Sequence, residues 1–389
     1  MLTKASPNAR VATVFATDLS TPSSIISILP KGEGFSPQRC GAIALCVRDF
    51  TRSSRYRDAT TVIGGDTSGG FDDVRYVSLP PARWWENRTR GYARRCVEII
   101  RNERATLVEV HNRPNLLRLI APSVSAKLAL HLHNDPQAMD GTRTPQDRRR
   151  ILDYCDGIYC VSQYIRNRFM EGLAENIQDK LHVVYNGIEV PKLFPDKENL
   201  IVFAGRMTED KGALPLAQAL RIALPQLPGW RAALIGSKHH SVATELTSYE
   251  KEVAAALEPI RANTELPGFL THEETLGFFA RAAIAVVPSV WQEPFGRTAL
   301  EAMAYGAAVI SSGRGGLREV TGEAAITLQD MSPATLAEAL RMLARDAQER
   351  ERRQRMGRGR AAHFSIARCT QALDDVRDII LAGNASYAA

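Results

Sequence analysis

The 389-residue chain has no run approaching the roughly 20 apolar residues of a membrane-spanning helix. Residues 1–10 lack the apolar segment of a secretory leader, so the expectation is a polypeptide that stays in the cytoplasm. Cysteine is scarce: six, at 40, 46, 96, 155, 160 and 369, with no Cys-x-x-Cys pair and none near His239, His240 or His272. This argues against a zinc site or a disulfide framework and for reduced, buried thiols. No Asp-x-Asp triplet stands at a strand end to hold a divalent cation, and internal repeats and low-complexity tracts are absent. The second half also lacks any charge bias: residues 191–389 carry 23 Lys+Arg and 23 Asp+Glu, against 26 and 20 in residues 1–190. The whole net charge of +6 therefore sits in the first half, which should meet something anionic.

What is present is α/β alternation. The length suits two domains of roughly 150–200 residues each. In the first half, short β-branched runs at 10–16, 59–64, 74–79, 106–111, 127–133, 157–161 and 182–185 alternate with helical patterns at 84–102, 114–124 and 163–172, which predicts a parallel sheet. Turn residues and Pro191 break the pattern near residue 190. A second series follows, with strands at 200–204, 231–235, 266–270, 284–287 and 308–311 and helices at 213–223 and 298–305. The charged stretch 346–360 intersperses acids and bases and reads as a solvated helix, and a last helix covers 366–382. Two such domains place their strand ends around one interdomain crevice.

Two segments of the second half carry chemistry. Residues 288–301 follow an apolar strand and open a helix. They offer Glu293 before the turn, then Phe295, then Gly296, Arg297 and Thr298 at the helix start, where free amides attract anions, then Glu301 one turn beyond Arg297. Carboxylates bind vicinal hydroxyls such as those of sugars and ribose. Upstream, a strand ends at Ala204, Gly205 turns the chain, and Arg206 and Lys211 follow before a helix, a pair suited to neutralising a diphosphate.

At these segments the sequence resembles glycosyltransferase family 4, which pairs a G-R-x-x-x-x-K-G turn with an E-x7-E segment; Glu293 and Glu301 have that spacing. Residues 183–189 resemble its interdomain N-G-[VI]-[DE] stretch and 160–166 its V-S-x-x-[VI]-R helix start. The resemblance implies the GT-B fold: two Rossmann-like domains, at 1–190 and 191–365, with residues 366–389 crossing back onto the first. It implies a retaining hexosyltransferase using a UDP- or GDP-linked sugar, with no metal and no cofactor. Arg206 and Lys211 would hold the β-phosphate, supported by the amides at Gly296, Arg297 and Thr298. Glu301 would bind the ribose and Glu293 the transferred sugar. His133, which shares a strand face with His131, matches a histidine of the family that contacts the sugar near the scissile bond, while His111, Asn112 and Arg113 end the preceding strand as acceptor contacts. The family's glycine-rich loop is altered here to Gly32-Glu33-Gly34, which leaves the acceptor open.

Residues 83–95 mix arginine with Trp84, Trp85 and Tyr92. They suit an anionic membrane surface, with Arg48, Arg52, Arg55 and Arg57 as an extension, or else a solvated helix whose tryptophans pack inward. No nucleic-acid-binding motif accompanies the charge. The sequence thus predicts transfer of a hexosyl unit to a lipid-linked or polysaccharide acceptor in cell-envelope glycan synthesis. The rivals are a nucleotide-sugar epimerase, a sugar phosphorylase, whose cofactor lysine motif is missing, and a non-catalytic nucleotide-sugar-binding subunit.

Overall fold

The computed structural model describes residues 23–383 except 38, 66–69, 82, 83, 85 and 239–244. The strand expected at 10–16 lies outside the described residues. Inside the first sheet lies β1 (Ile25–Ile28), which periodicity did not reveal. All four of its residues are buried, and a parallel strand covered on both faces shows no alternation. A short hairpin of β2 (Phe35–Ser36) and β3 (Arg39–Cys40) follows. The sheet is completed by β4 (Thr60–Gly65), β5 (Tyr76–Leu79), β6 (Leu107–His111), β7 (Lys127–Leu132), β8 (Gly157–Cys160) and β9 (Leu181–Val183), in the order β5-β4-β1-β6-β7-β8-β9. A second parallel sheet holds β10 (Glu198–Ala204), β11 (Arg231–Ile235), β12 (Thr264–Gly268), β13 (Ala282–Val287), β14 (Ala308–Ser311) and β15 (Ile326–Thr327), in the order β12-β11-β10-β13-β14-β15.

In each sheet the chain first moves outward on one side of its central strand and then returns to the other. The reversals fall between β1 and β6 and between β10 and β13. At such a switch point the loops leave in opposite directions and open a crevice beyond the strand carboxyl ends.

The two sheets are joined by side chains far apart in sequence. Phe295 packs against Phe364 (ring centroids 6.0 Å apart) and Tyr185 (6.2 Å), in one continuous apolar core. The Ser162 hydroxyl donates to Pro294 O at 2.6 Å, and Glu319 accepts from the free amides of Gln163 and Tyr164 at the start of the helix Gln163–Met170.

The last helix, Ile366–Leu381, docks on the first sheet. Its Arg377, only 2% exposed, makes a bidentate pair with Glu109 on β6 (2.9 and 2.7 Å) and also reaches Asp374 and Ser54. Burial alone would raise the Glu109 carboxyl, but the Arg377 guanidinium holds it well below its ordinary range. Beside this pair the strand register stacks His111, His131 and Tyr159 across β6, β7 and β8, with ring centroids 4.2 and 4.1 Å apart. Burial pushes His111 and His131 down from 6.5, and His133, just past β7, down to about 3.

The charged helix runs Ala347–Ala362, with Glu349 paired to Arg352 and Arg353 on its solvated side and Gln354, Gly357 and Ala361 buried.

Two predictions follow from the buried pair and the rings. Arg377→Ala leaves Glu109 buried and uncompensated, so stability should fall by about 3–5 kcal/mol in urea unfolding, and adding Glu109→Gln should recover part of the loss. A change within experimental error would mean that the pair does not hold the helix. The histidines bind protons more readily unfolded than folded, so their contribution is complete above pH 6.5 and is lost as pH falls below it. The loss is up to about 1.4 kcal/mol per pH unit for each such group. The urea midpoint should therefore decline already between pH 6.5 and 5, and His131→Phe, which keeps a ring in the stack, should flatten that decline.

Candidate active site

At the second switch point, β10 ends in the Gly205–Lys211 turn and β13 in the 288–296 loop. Glu293 is buried here. Lys211 Nζ donates to its Oε1 at 2.6 Å, and the Ser289 hydroxyl donates to the same oxygen at 2.6 Å. Lys211 also lies over the Trp291 ring, 4.7 Å from the centroid. Arg206 is partly exposed and pairs with Asp210 at 3.2 Å. Gly296 adopts φ +104°, and a Cβ there would lie 2.5 Å from Leu317 Cδ1, so only glycine lets the helix Arg297–Ala304 start at this point. The Phe295 side chain is buried in the interdomain core, its ring packed against Phe364 and Tyr185.

The helix start brings a second carboxylate. Glu301 receives Arg297 Nε at 2.7 Å and shares a hydrogen bond with His272 Nε2 at 2.9 Å, again both through Oε1. Burial would raise this carboxyl, but His272 and Arg297 hold it below the ordinary value. In neither Glu293 nor Glu301 does Oε2 meet a protein donor among the described residues. Thr298, Glu301, Arg297 and His272 line an interdomain cavity of about 440 Å³. Arg297 does more than expected: its Nη2 donates to Asp49 at 3.0 Å and Nη1 to Cys46 Sγ at 3.0 Å, both on the helix Ala42–Ser53 of the first half. Sequence spacing gave no hint of Asp49, 248 residues away. It gave little of His272, whose one local signature is the Thr271–Glu274 capping box at the start of its helix.

At the first switch point, His111 Nε2 bonds Ser27 Oγ at 2.9 Å, and His111 Nδ1 shares a hydrogen bond with His133 Nε2 at 3.0 Å. Asn112 sits at φ +57°, a conformation asparagine tolerates, and its Oδ1 accepts from the amides of His133 and Asn134. It thereby fixes the loop that carries His133. Arg113 is exposed. Among the described residues, His111, His131 and His133 form a group able to hold a metal, their ligand atoms lying within 4.8 Å of one another. Among the described residues the His131 Nε2 has no hydrogen-bond partner, the nearest carboxylate being Glu109 Oε1 at 3.6 Å, whereas both His111 nitrogens are engaged. In the Gly32-Glu33-Gly34 stretch Gly32 is exposed, with open space where a Cβ would stand. Glu33 accepts from Ala44 N at 3.3 Å near the start of a helix, and a Cβ on Gly34 would lie 2.4 Å from Arg39 O in the hairpin.

The basic stretch is only partly helical: the helix is Arg88–Asn102, capped by Asn87. Trp84 precedes it and is 92% exposed, so this tryptophan does not pack inward. Arg94 and Arg95 pair with Glu86, whereas Arg88 and Arg90 are exposed. Of the arginines expected to extend the patch, Arg48 pairs with Asp73, Arg52 with Glu189 and Arg55 with Asp378, while the exposed Arg57 reaches the main-chain carbonyl of Asp73. No helix among the described residues is long and apolar enough to cross a membrane.

Comparison with known proteins agrees with this geometry. Residues 187–360 match the glycosyl transferases group 1 family and residues 47–191 match glycosyltransferase family 4. The chain is 25% identical to the lipopolysaccharide 1,2-N-acetylglucosaminetransferase of Salmonella typhimurium, over 64% of this chain and 67% of that enzyme. Its fold is similar to Anabaena HepE, solved with UDP and glucose (TM-score 0.73, 18% identity, 92% of this chain and 99% of that one). It is likewise similar to sucrose-phosphate synthase from Thermosynechococcus elongatus (TM-score 0.75, 18% identity, 92% and 99%). With family matches over both halves and two parallel-sheet domains, the chain belongs to the GT-B glycosyltransferases, built from a family 4 domain followed by a group 1 domain.

Proposed function

We propose that the enzyme transfers a hexosyl unit, with retention, from a UDP- or GDP-linked sugar to a lipid-linked or polysaccharide acceptor in cell-envelope glycan synthesis. One observation carries the reading: Glu293 and Glu301 are each anchored through Oε1, and among the described residues neither Oε2 meets a protein donor. A buried carboxylate with one pinned oxygen is a rigid acceptor for a hydroxyl. Glu301, beyond the helix start, takes the ribose; Glu293, ahead of it, takes hydroxyls of the transferred sugar.

The bond from the anomeric carbon to the β-phosphate oxygen breaks as the acceptor oxygen attacks from the same face, and the acceptor proton leaves with the diphosphate. Negative charge grows on the departing phosphate, and Arg206, Lys211 and the amides at Gly296, Arg297 and Thr298 face it. Lys211 is pinned to Glu293 without ligand, so it is shared between two anions once donor is bound. His133, held neutral, serves as a hydrogen-bonding contact to the sugar and not as a proton shuttle. These cations provide the field that a metal would otherwise supply, and the reaction uses no metal or cofactor. The domains divide near residue 190, with the last helix belonging to the first. The UDP bound by HepE supports a nucleoside diphosphate donor, and the lipopolysaccharide relative supports an envelope acceptor. Trp84, with the exposed Arg88 and Arg90 a few residues on, supports peripheral contact with an anionic membrane from the cytoplasmic side, each cation contributing on the order of 1 kcal/mol.

The carboxylates should separate by calorimetry. Glu301→Gln weakens UDP and UDP-sugar alike. Glu293→Gln leaves UDP affinity unchanged or tighter, since it releases Lys211, while transfer drops about ten- to a hundredfold. Equal weakening of bare UDP by both variants would sink the assignment. Activity should also persist in excess EDTA; loss of turnover restored by magnesium or manganese would refute a metal-free reaction.

A further inference from the structure

Beyond the carboxyl ends of β1 and β6 lies a cavity of about 400 Å³ whose charged lining is Lys31, Arg113, Arg143 and Asp140. Asp140 is taken by Arg143 at 2.8 Å. Lys31 touches only the Thr89 hydroxyl, at 3.5 Å, and neither Lys31 nor Arg113 has an acidic partner within ion-pair distance among the described residues. Glu33 lies close enough for Arg113 to affect its carboxyl, but that carboxylate is turned to Ala44 N. Thr89, also in the lining, is flanked by the exposed Arg88 and Arg90, which likewise form no ion pair among the described residues. By contrast, Arg48, Arg52, Arg55, Arg94, Arg95 and Arg168 of the first half each pair with an acid of this chain. Two cations without an acidic partner among the described residues, Lys31 and Arg113, thus meet in the lining of this cavity.

We propose that this cavity binds an acceptor carrying a phosphate group, with Arg113 and Lys31 as its anion contacts and the side-chain carboxamides of Asn112 and Asn134, also in the lining, for sugar hydroxyls. The inference rests on the reading of this sheet edge as the acceptor side. A neutral acceptor would cover two cations without supplying counter-charge, whereas a phosphate matches the planar fork of Arg113 and the point charge of Lys31. The phosphate is a handle and is not transferred; the new bond forms at a hydroxyl of the same molecule. Its source is a soluble sugar phosphate or a lipid phosphate.

The test uses the full chain saturated with UDP, or with GDP if that is what binds, so that Arg206 and Lys211 are occupied. Inorganic phosphate, glucose 6-phosphate, glucose and phosphatidylglycerol vesicles are then titrated separately. We expect glucose 6-phosphate to bind and glucose not to over the same range, with Arg113→Ala and Lys31→Ala each weakening binding about tenfold or more and Arg113→Lys weakening it less. Both side chains are exposed, so the variants should fold, as their UDP affinity and melting temperature will show. Vesicle binding that Arg113→Ala abolishes, without glucose 6-phosphate binding, would assign the phosphate to a lipid. The proposal is overturned if no phosphate probe binds, if binding is unchanged in Arg113→Ala/Lys31→Ala, or if glucose binds equally well. Failure of both nucleotides to bind would sink the donor assignment instead, and the phosphate titration would still be decided by Arg113→Ala.

Discussion

The reversal of strand order at the middle of each sheet is the constraint on which the rest depends. Parallel strands send all their carboxyl ends to one edge, and only where neighbouring connections leave in opposite directions does that edge open into a crevice. The β1/β6 reversal gathers Lys31, Asn112, Arg113 and the loop of His133, and the β10/β13 reversal gathers Arg206, Lys211, Glu293 and Gly296. What remains is to hold the two edges together. The Phe295, Phe364 and Tyr185 rings, the Glu319 cap and the Arg297–Asp49 pair all cross between the halves.

Charge inside the crevice is managed by pairing. A lone buried carboxylate costs several kcal/mol, and the Lys211–Glu293 contact at 2.6 Å offsets that cost without saturating the carboxylate. The same arrangement recurs at Glu301 with Arg297 and His272. Arg297 therefore has two functions: one guanidinium orients the carboxylate beside it and ties that helix to Asp49 of the other half. A substitution there would change cleft geometry and carboxylate orientation together.

Much of this was legible in the chain. The helix expected at 213–223 is the helix Ala213–Ala223, and the strand at 231–235 is β11, because apolar periodicity and turn residues act within one element. The Glu293–Glu301 spacing and the Arg206–Lys211 turn were likewise local patterns. β1 was not legible, since a buried parallel strand of four residues offers no alternation to detect. Nor was the role of Glu33, whose partner Ala44 lies across a hairpin.

The sequence by itself determined the α/β alternation, the two motif segments, and the confinement of excess positive charge to the first half. Each of these is set by residues within about a helical turn of one another or by simple counting. Only the tertiary structure decided which arginines are spent on internal pairs and which face the first cavity, that Phe295 belongs to the core, and that Arg377 of the last helix neutralises Glu109 in the first sheet. Those outcomes depend on partners on different elements, from Arg48 and Asp73 at 25 residues apart to Arg377 and Glu109 at 268. Ion pairs and ring contacts act over a few ångströms of space, and local sequence does not encode which distant segments the sheet order will bring within that reach.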